Sequence, residues 1–314
     1  MKRKIFLLGL LFLIFLSACT NKNGGQLNNA SNKELALSQN SEKKIIYTTF
    51  FPVYDLTKRI VGDKMEIKSI IKGSQEPHDF ELQTKDMVEI SKGDLIIYNG
   101  ANMEAFIPSL MDAAGDDSKF LDLSQNLRIL AKKDEISEDT KKVNPHTWLS
   151  IKNTMVELKE IYEKVLEIDP ENQSFYKENL QKALADFQVL DQKFEDELSK
   201  VHGEKYFVVS HAAFNYLAKD YGLKQVAVTG ISPEEEPSAK QLKTIADFVK
   251  SHEIGTIFFE GKATPKVAET LAKETNTKTA TLYTMENLTE EEMERGYLKL
   301  MEENLEALVK SFNE

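Results

Sequence analysis

One stretch of about thirty residues, Glu171 to Lys200, carries Phe175, Leu180, Leu184, Phe187, Leu190 and Phe194 at helical spacing, with Lys, Glu, Asp and Gln between them. That spacing predicts a single amphipathic helix roughly 45 Å long. Such a rod can be an ordinary core helix or a backbone between two separate units. Its place between two stretches of alternating short strands and helices favours the backbone. Asp169-Pro170 interrupts the preceding helix, and Pro170 suits the first turn of a new one.

Before the rod, Ile45 to Phe50, Glu66 to Ile71, Leu95 to Tyr98 and Phe120 to Leu123 read as short strands. Between them Val53 to Val61, Thr84 to Lys92 and about Ala105 to Ala113 read as helices, with Thr84 a candidate N-cap. Ser150 can cap a helix running to about Leu166. After the rod the plan repeats. Tyr206 to Val209, Gln225 to Thr229, Thr256 to Glu260 and Thr279 to Tyr283 are strand-like, and helices are expected at His211 to Asp220, Ser238 to Lys250, Pro265 to Glu274 and Thr289 to Phe312. The order predicts an α/β protein of two αβ lobes, each a mostly parallel sheet flanked by helices, joined by one long backbone helix. The expected division is 44–168 for the first lobe, 169–202 for the linking helix and 203–314 for the second lobe. A folded part of about 270 residues is large for one core and agrees with two.

The front of the chain is of another kind. Lys2-Arg3-Lys4 precede an apolar run from Ile5 to Leu16, too short to span a membrane comfortably, and Leu16-Ser17-Ala18-Cys19 follows. Residues 1–18 read as an export signal. The tetrapeptide resembles a bacterial lipobox, which would leave Cys19 as a lipid-modified N-terminus. Residues 19–43 are rich in Asn, Ser, Gly and Lys and read as a flexible tether. Cys19 is the sole cysteine, so neither a disulfide nor a thiolate metal site is available. The net charge is -11; loss of residues 1–18 removes three cations and no anion, giving -14. Strong acidity without a basic patch argues against nucleic acid.

The chain has five histidines. Three lie in turn-rich settings: Glu76-Pro77-His78-Asp79-Phe80, Asn144-Pro145-His146-Thr147-Trp148-Leu149 and Ser210-His211-Ala212-Ala213-Phe214. His78 and His211 follow predicted strands, His146 opens the first central helix, and Glu286 comes just after the last strand. Ligands of open α/β sheets bind beyond the carboxyl ends of strands. Three imidazoles and a carboxylate make a zinc-like shell. The separations are wide, however, and there is no His-Glu-x-x-His, Cys-x-x-Cys or nucleophile elbow. Spacing alone leaves open whether these histidines meet or are three separate hydrogen-bonded side chains. His202 and His252 read as solvated. Trp148 reads as a packing residue, Glu234-Glu235-Glu236 as a solvated loop with Pro237 opening the next helix, and Glu260 as a residue that could orient a histidine.

In combination with Gly230-Ile231-Ser232-Pro233-Glu234-Glu235-Glu236-Pro237-Ser238, these motifs closely resemble the cluster A-I metal-binding lipoproteins of ABC transporters, and among them the zinc-specific ZnuA/AdcA type. The resemblance covers essentially everything from about Lys43 onward. It implies zinc ligation by His78, His146, His211 and Glu286, with Glu260 behind a histidine. Where the family's last loop reads Asn-Pro-Leu-Glu-Gly-Leu-Thr, this chain has Thr284-Met285-Glu286-Asn287-Leu288-Thr289, so an Asp or Glu elsewhere, or a water, remains an alternative fourth ligand. The histidine-rich run many members carry before Asn-Pro-His is missing from Ala131 to Lys142. The chain ends at Glu314, so no appended second zinc-binding domain is expected. Relatives that carry manganese place Glu at the His211 position and Asp at the last one; more imidazole favours zinc.

The function so implied is an extracytoplasmic, lipid-anchored protein on the outer face of the bacterial cytoplasmic membrane. It would capture Zn²⁺ between its lobes and deliver it to an ABC permease and its ATPase, without being an enzyme. Rival readings are a metal-dependent adhesin, a manganese-binding relative of the same fold, and a zinc hydrolase with Glu286 as general base.

Overall fold

The β-branched and aromatic runs form two four-stranded sheets. The computed structural model describes residues 43–130, 143–233, 235–260 and 265–314. The expected leader and tether up to residue 42, Cys19 with them, the histidine-free stretch 131–142 and Glu234 lie outside the described residues. The first sheet holds β1 (Ile45–Thr48), β2 (Glu66–Ser69), β3 (Leu95–Tyr98) and β4 (Phe120–Asp122) in the order β2-β1-β3-β4. The second holds β5 (Tyr206–Val209), β6 (Lys224–Ala227), β7 (Thr256–Phe259) and β8 (Lys278–Thr281) in the order β6-β5-β7-β8. Every pairing is parallel. The two halves thus share one topology, and every strand in a sheet ends on the same edge.

Helices α1 (Phe51–Val61), α2 (Thr84–Ile90) and α3 (Ile107–Ala114) belong to the first half. α4 (Ile151–Ile168) and α5 (Gln173–Ser199) follow, and α6 (Asn215–Tyr221), α7 (Ala239–Ser251), α8 (Pro265–Thr275) and α9 (Glu290–Phe312) complete the second. Pro52 sits in the first turn of α1, where its missing N–H costs nothing. Gly62 ends α1 at φ 56°, and a Cβ there would lie 2.9 Å from the Phe175 ring on α5, so both the backbone and the close approach of α1 to α5 favour glycine. None of the described helices is long and apolar enough to cross a membrane.

α5 is the expected rod. It packs against α1, α4, α6 and α9 and so touches elements of both halves. Its fully covered stripe is Tyr176, Ala183, Phe187, Leu190, Phe194 and Leu198. Phe175, Leu180 and Leu184, expected in that stripe, are only half-buried. Phe187 stacks on Tyr297 of α9 and Phe194 lies tilted against Tyr221 of α6, with ring centroids 5.2 and 5.0 Å apart. α9 crosses back to α1 as well as to α5, so the C-terminal helix is not confined to the second half.

Several local expectations are corrected. Thr84 is not an N-cap; Gln83 precedes the helix and no side chain caps it. Pro237 lies outside α7, whose N-cap is Ser238 in a reciprocal pair with Gln241. Helix α6 begins at Asn215 rather than His211. Ser150 does cap α4, accepting from Asn153 N.

Candidate metal centre

Each of the four expected ligands stands on a loop beyond the carboxyl edge of a sheet. His78 follows β2, in a segment where His78 N donates to Glu76 Oε1 at 3.1 Å. His146 follows the 123–145 segment after β4 and precedes a 3-10 turn, Thr147–Leu149, rather than opening α4 itself. His211 comes two residues after β5 and lies in a loop, with Ala212 N donating to Gly230 O at 2.7 Å. Glu286 follows β8, on a turn in which Met285 takes φ 67°.

These loops bring the four donors together. His146 Nε2 is 3.3 Å from His78 Nε2 and 3.1 Å from His211 Nε2. Glu286 Oε1 is 3.1 Å from His78 Nε2 and 2.9 Å from His146 Nε2, and Oε2 is 3.5 Å from His211 Nε2. A tetrahedral zinc ion bound at 2.0–2.1 Å requires donors about 3.3 Å apart. The observed spacings bracket that edge. Among the described residues these four form the metal-capable group, with one donor atom from each within 4.8 Å of the others.

Outer partners fix which nitrogen faces inward. His146 Nδ1 donates to Asn144 Oδ1 at 2.7 Å, and His211 Nδ1 donates to Glu260 Oε1 at 2.5 Å. In the neutral rings that a metal requires, both Nε2 lone pairs are therefore aimed at one point. Lone pairs 3.1 Å apart repel unless a proton or a cation lies between them. Among the described residues Glu286 Oε2 is buried without a hydrogen-bond partner, and an inward-facing cation would be one. Glu260 also accepts from Ser210 Oγ at 2.5 Å.

Burial moves these groups in opposite directions according to their neighbours. His146 is pushed down to about 4 by burial, only partly opposed by Glu286. His211 would also fall on burial, but Glu260, with help from Glu286, lifts it to about 9. Burial would raise Glu286, yet His146 and His211, with His78 against Oε1, hold it well below the usual carboxylate range. Burial and the Glu286 charge raise Glu76 to about 7.

The remaining sequence-flagged residues fall into place around this core. Trp148 is buried, with its ring 5.3 Å from that of His146. His202 and His252 are exposed and take no part; His252 stacks on Phe248 with centroids 3.9 Å apart. Glu235 and Glu236 are exposed. Sequence reasoning assigned no role to Asn144, although an Asn two residues before a buried His in a turn is a signal for side chain-to-backbone bonding. Asn304 was missed as well. It is a lone polar residue on the apolar stripe of α9, and it accepts from Tyr283 N at 2.7 Å and donates to Tyr283 O at 2.9 Å just before the Glu286 turn.

A family model described as the periplasmic zinc-uptake complex component A, ZnuA, matches residues 46–311. The high-affinity zinc uptake system protein ZnuA of Bacillus subtilis (strain 168) is 36% identical over 315 residues, covering 97% of this chain and 95% of that protein. The zinc-binding lipoprotein AdcA of Streptococcus pneumoniae is 35% identical over 321 residues, which is 98% of this chain but 60% of the longer relative. The solved structure of the Zn(II)-bound ZnuA-like domain of that AdcA is similar with a TM-score of 0.75 at 35% identity, covering 87% of this chain and 100% of the domain.

Proposed function

The chain belongs to the ZnuA family of zinc-uptake components, and from that premise we propose that His78, His146, His211 and Glu286 are the ligands through which it captures Zn²⁺. It is an extracytoplasmic zinc-binding protein of an ABC uptake system and acts by ligation rather than turnover. The observation that supports the ligand set is that His146 Nε2 lies 3.3 Å from His78 Nε2 and 3.1 Å from His211 Nε2, with the Glu286 oxygens 2.9–3.5 Å from the three rings, close to the edge length of a zinc tetrahedron. Four protein donors leave no open position for an activated water, which hydrolysis needs.

Zinc competition against a chelator tests the assignment. The parent should bind one Zn²⁺ per chain. His78→Ala, His146→Ala and His211→Ala should each weaken binding by orders of magnitude, whereas His202→Ala and His252→Ala should leave it unchanged. Equal losses across all five would end the reading.

The finer statement concerns the membrane. Cys19 is the lipid attachment site, and residues 19–43 tether the folded part to the outer face of the membrane, where it hands zinc to the permease. The support is the Leu16-Ser17-Ala18-Cys19 sequence behind a basic, apolar leader. Cys19→Ala should fold but leave the membrane fraction; retention there would refute the anchor.

A further inference from the structure

His146 sits in the middle of a five-residue segment, Asn144 to Trp148, whose two end side chains each cross to the second half. Asn144 Nδ2 donates to Ala212 O at 3.1 Å, on the loop that carries His211. Trp148 Nε1 donates to Thr284 O at 2.7 Å, on the loop that carries Glu286. Both side chains belong to buried residues. We propose that Asn144 and Trp148 are positioning residues. Each holds one ligand loop of the second half at a fixed distance from His146, and together they set the donor spacing of the centre.

The surroundings explain why two bonds have this reach. Asn144 is held on every side. Its Oδ1 accepts from His146 N at 3.0 Å as well as from the ring, its N donates to Leu130 O at 2.8 Å, and its O accepts from Tyr216 Oη at 2.8 Å. Trp148 is pinned by Phe50, edge-on with centroids 4.9 Å apart, and its carbonyl accepts from Tyr297 Oη at 2.6 Å. Neither side chain can follow a moving loop without breaking its other contacts.

The Glu286 loop needs this restraint most. Met285 is buried in the left-handed region at φ 67°, which a methionine adopts only when its surroundings impose it. Asn304 fixes Tyr283 on the strand side of that turn, and Trp148 fixes Thr284. Glu286 is thus cantilevered from the two Asn304 bonds and the Trp148 bond, the last of them from the other half. Donor positions must hold to about 0.5 Å for a site to keep its metal, and loss of such outer partners costs about 10–100-fold in affinity.

This inference rests on the zinc-capture reading, so the test separates the two. Trp148→Phe keeps a ring and removes the indole N–H. Asn144→Asp keeps the oxygen that accepts from His146 N and Nδ1 and removes the amide N–H that reaches Ala212 O. Three quantities are read on each: zinc affinity by chelator competition, the visible spectrum of the Co²⁺-loaded protein, and the metal-free melting temperature. The expected result is a tenfold or greater loss of zinc affinity and an altered Co²⁺ spectrum, with little change in metal-free melting. Parent-like affinity and spectrum would overturn the proposal. So would metal-free variants that no longer fold, because the two residues would then hold the fold rather than the centre. A parent that binds no zinc would overturn the capture reading instead.

Discussion

His211 lies between two carboxylates, Glu260 at Nδ1 and Glu286 facing Nε2. Despite burial, that pair lifts its pKa to about 9, so the metal-free imidazole is charged at neutral pH. Zinc needs the neutral ring and must displace the proton. Affinity should therefore rise with pH up to about 9 and then level off. Calorimetric titration at pH 7.5 in buffers of different ionisation enthalpy should show at least one proton released per zinc. Glu260→Gln removes the charge that raises His211, so release should fall; the same proton count in both proteins would argue against this role. On the proposed ligand set, the identity of the same residue should also bear on the choice of metal. His211→Glu exchanges a borderline nitrogen for a hard oxygen and leaves two imidazoles and two carboxylates, a set better suited to manganese. The zinc-to-manganese affinity ratio should fall by about tenfold or more, about 1.4 kcal/mol, in paired competition titrations; an unchanged ratio would mean selectivity lies elsewhere.

Among the elements, α9 combines two requirements. Its first turn must start just beyond the Glu286 loop, and its later turns must lie on α5 and α1. Thr289 and Glu292 form a reciprocal cap at the start. The helix then breaks at Gly296, with φ 77° and ψ 160°. Tyr297 immediately after the break is fully buried and stacks on Phe187. That backbone region is essentially reserved for glycine. A Cβ at Gly296 would find Asp55 Oδ1 no closer than 3.6 Å, so space is not the obstacle and the cost is conformational. Gly296→Ala should lose about 1–3 kcal/mol in urea unfolding of the metal-free protein. A loss indistinguishable from zero would mean that the helix runs straight through this point without penalty.

For the whole molecule, the four candidate ligands come from both halves, two from loops of each sheet. A ligand that ties the halves together and binds only the folded chain stabilises it by mass action, about 4 kcal/mol at a thousandfold excess over Kd. Zinc should raise the melting temperature of the parent markedly and that of His146→Ala little. The chain's single tryptophan is Trp148, with its ring centroid 5.3 Å from that of His146. Its fluorescence should change in step with the first equivalent of zinc and then stay constant. A melting temperature indifferent to zinc would contradict a centre shared by the two halves.

Periodicity and strand–helix alternation by themselves determined the two parallel αβ units and the rod at Gln173–Ser199, because both are set by side-chain spacing along the chain. Short turn-forming motifs marked His78, His146 and His211. Their chemistry could be read, but their meeting could not, since donors separated by 65 or more residues carry no local record of a shared point. Only the tertiary structure decided three things. It brought the Nε2 atoms to within 3.3 Å of His146. It placed the stripe of α5 on Tyr176 and Ala183 rather than on Phe175, Leu180 and Leu184, because α5 must face several helices at once. It also gave Asn144 and Trp148 their partners, which are backbone carbonyls of Ala212 and Thr284. A carbonyl is the same at every residue, so no sequence pattern can specify which one a side chain will find; that choice is made by the packing of the two halves.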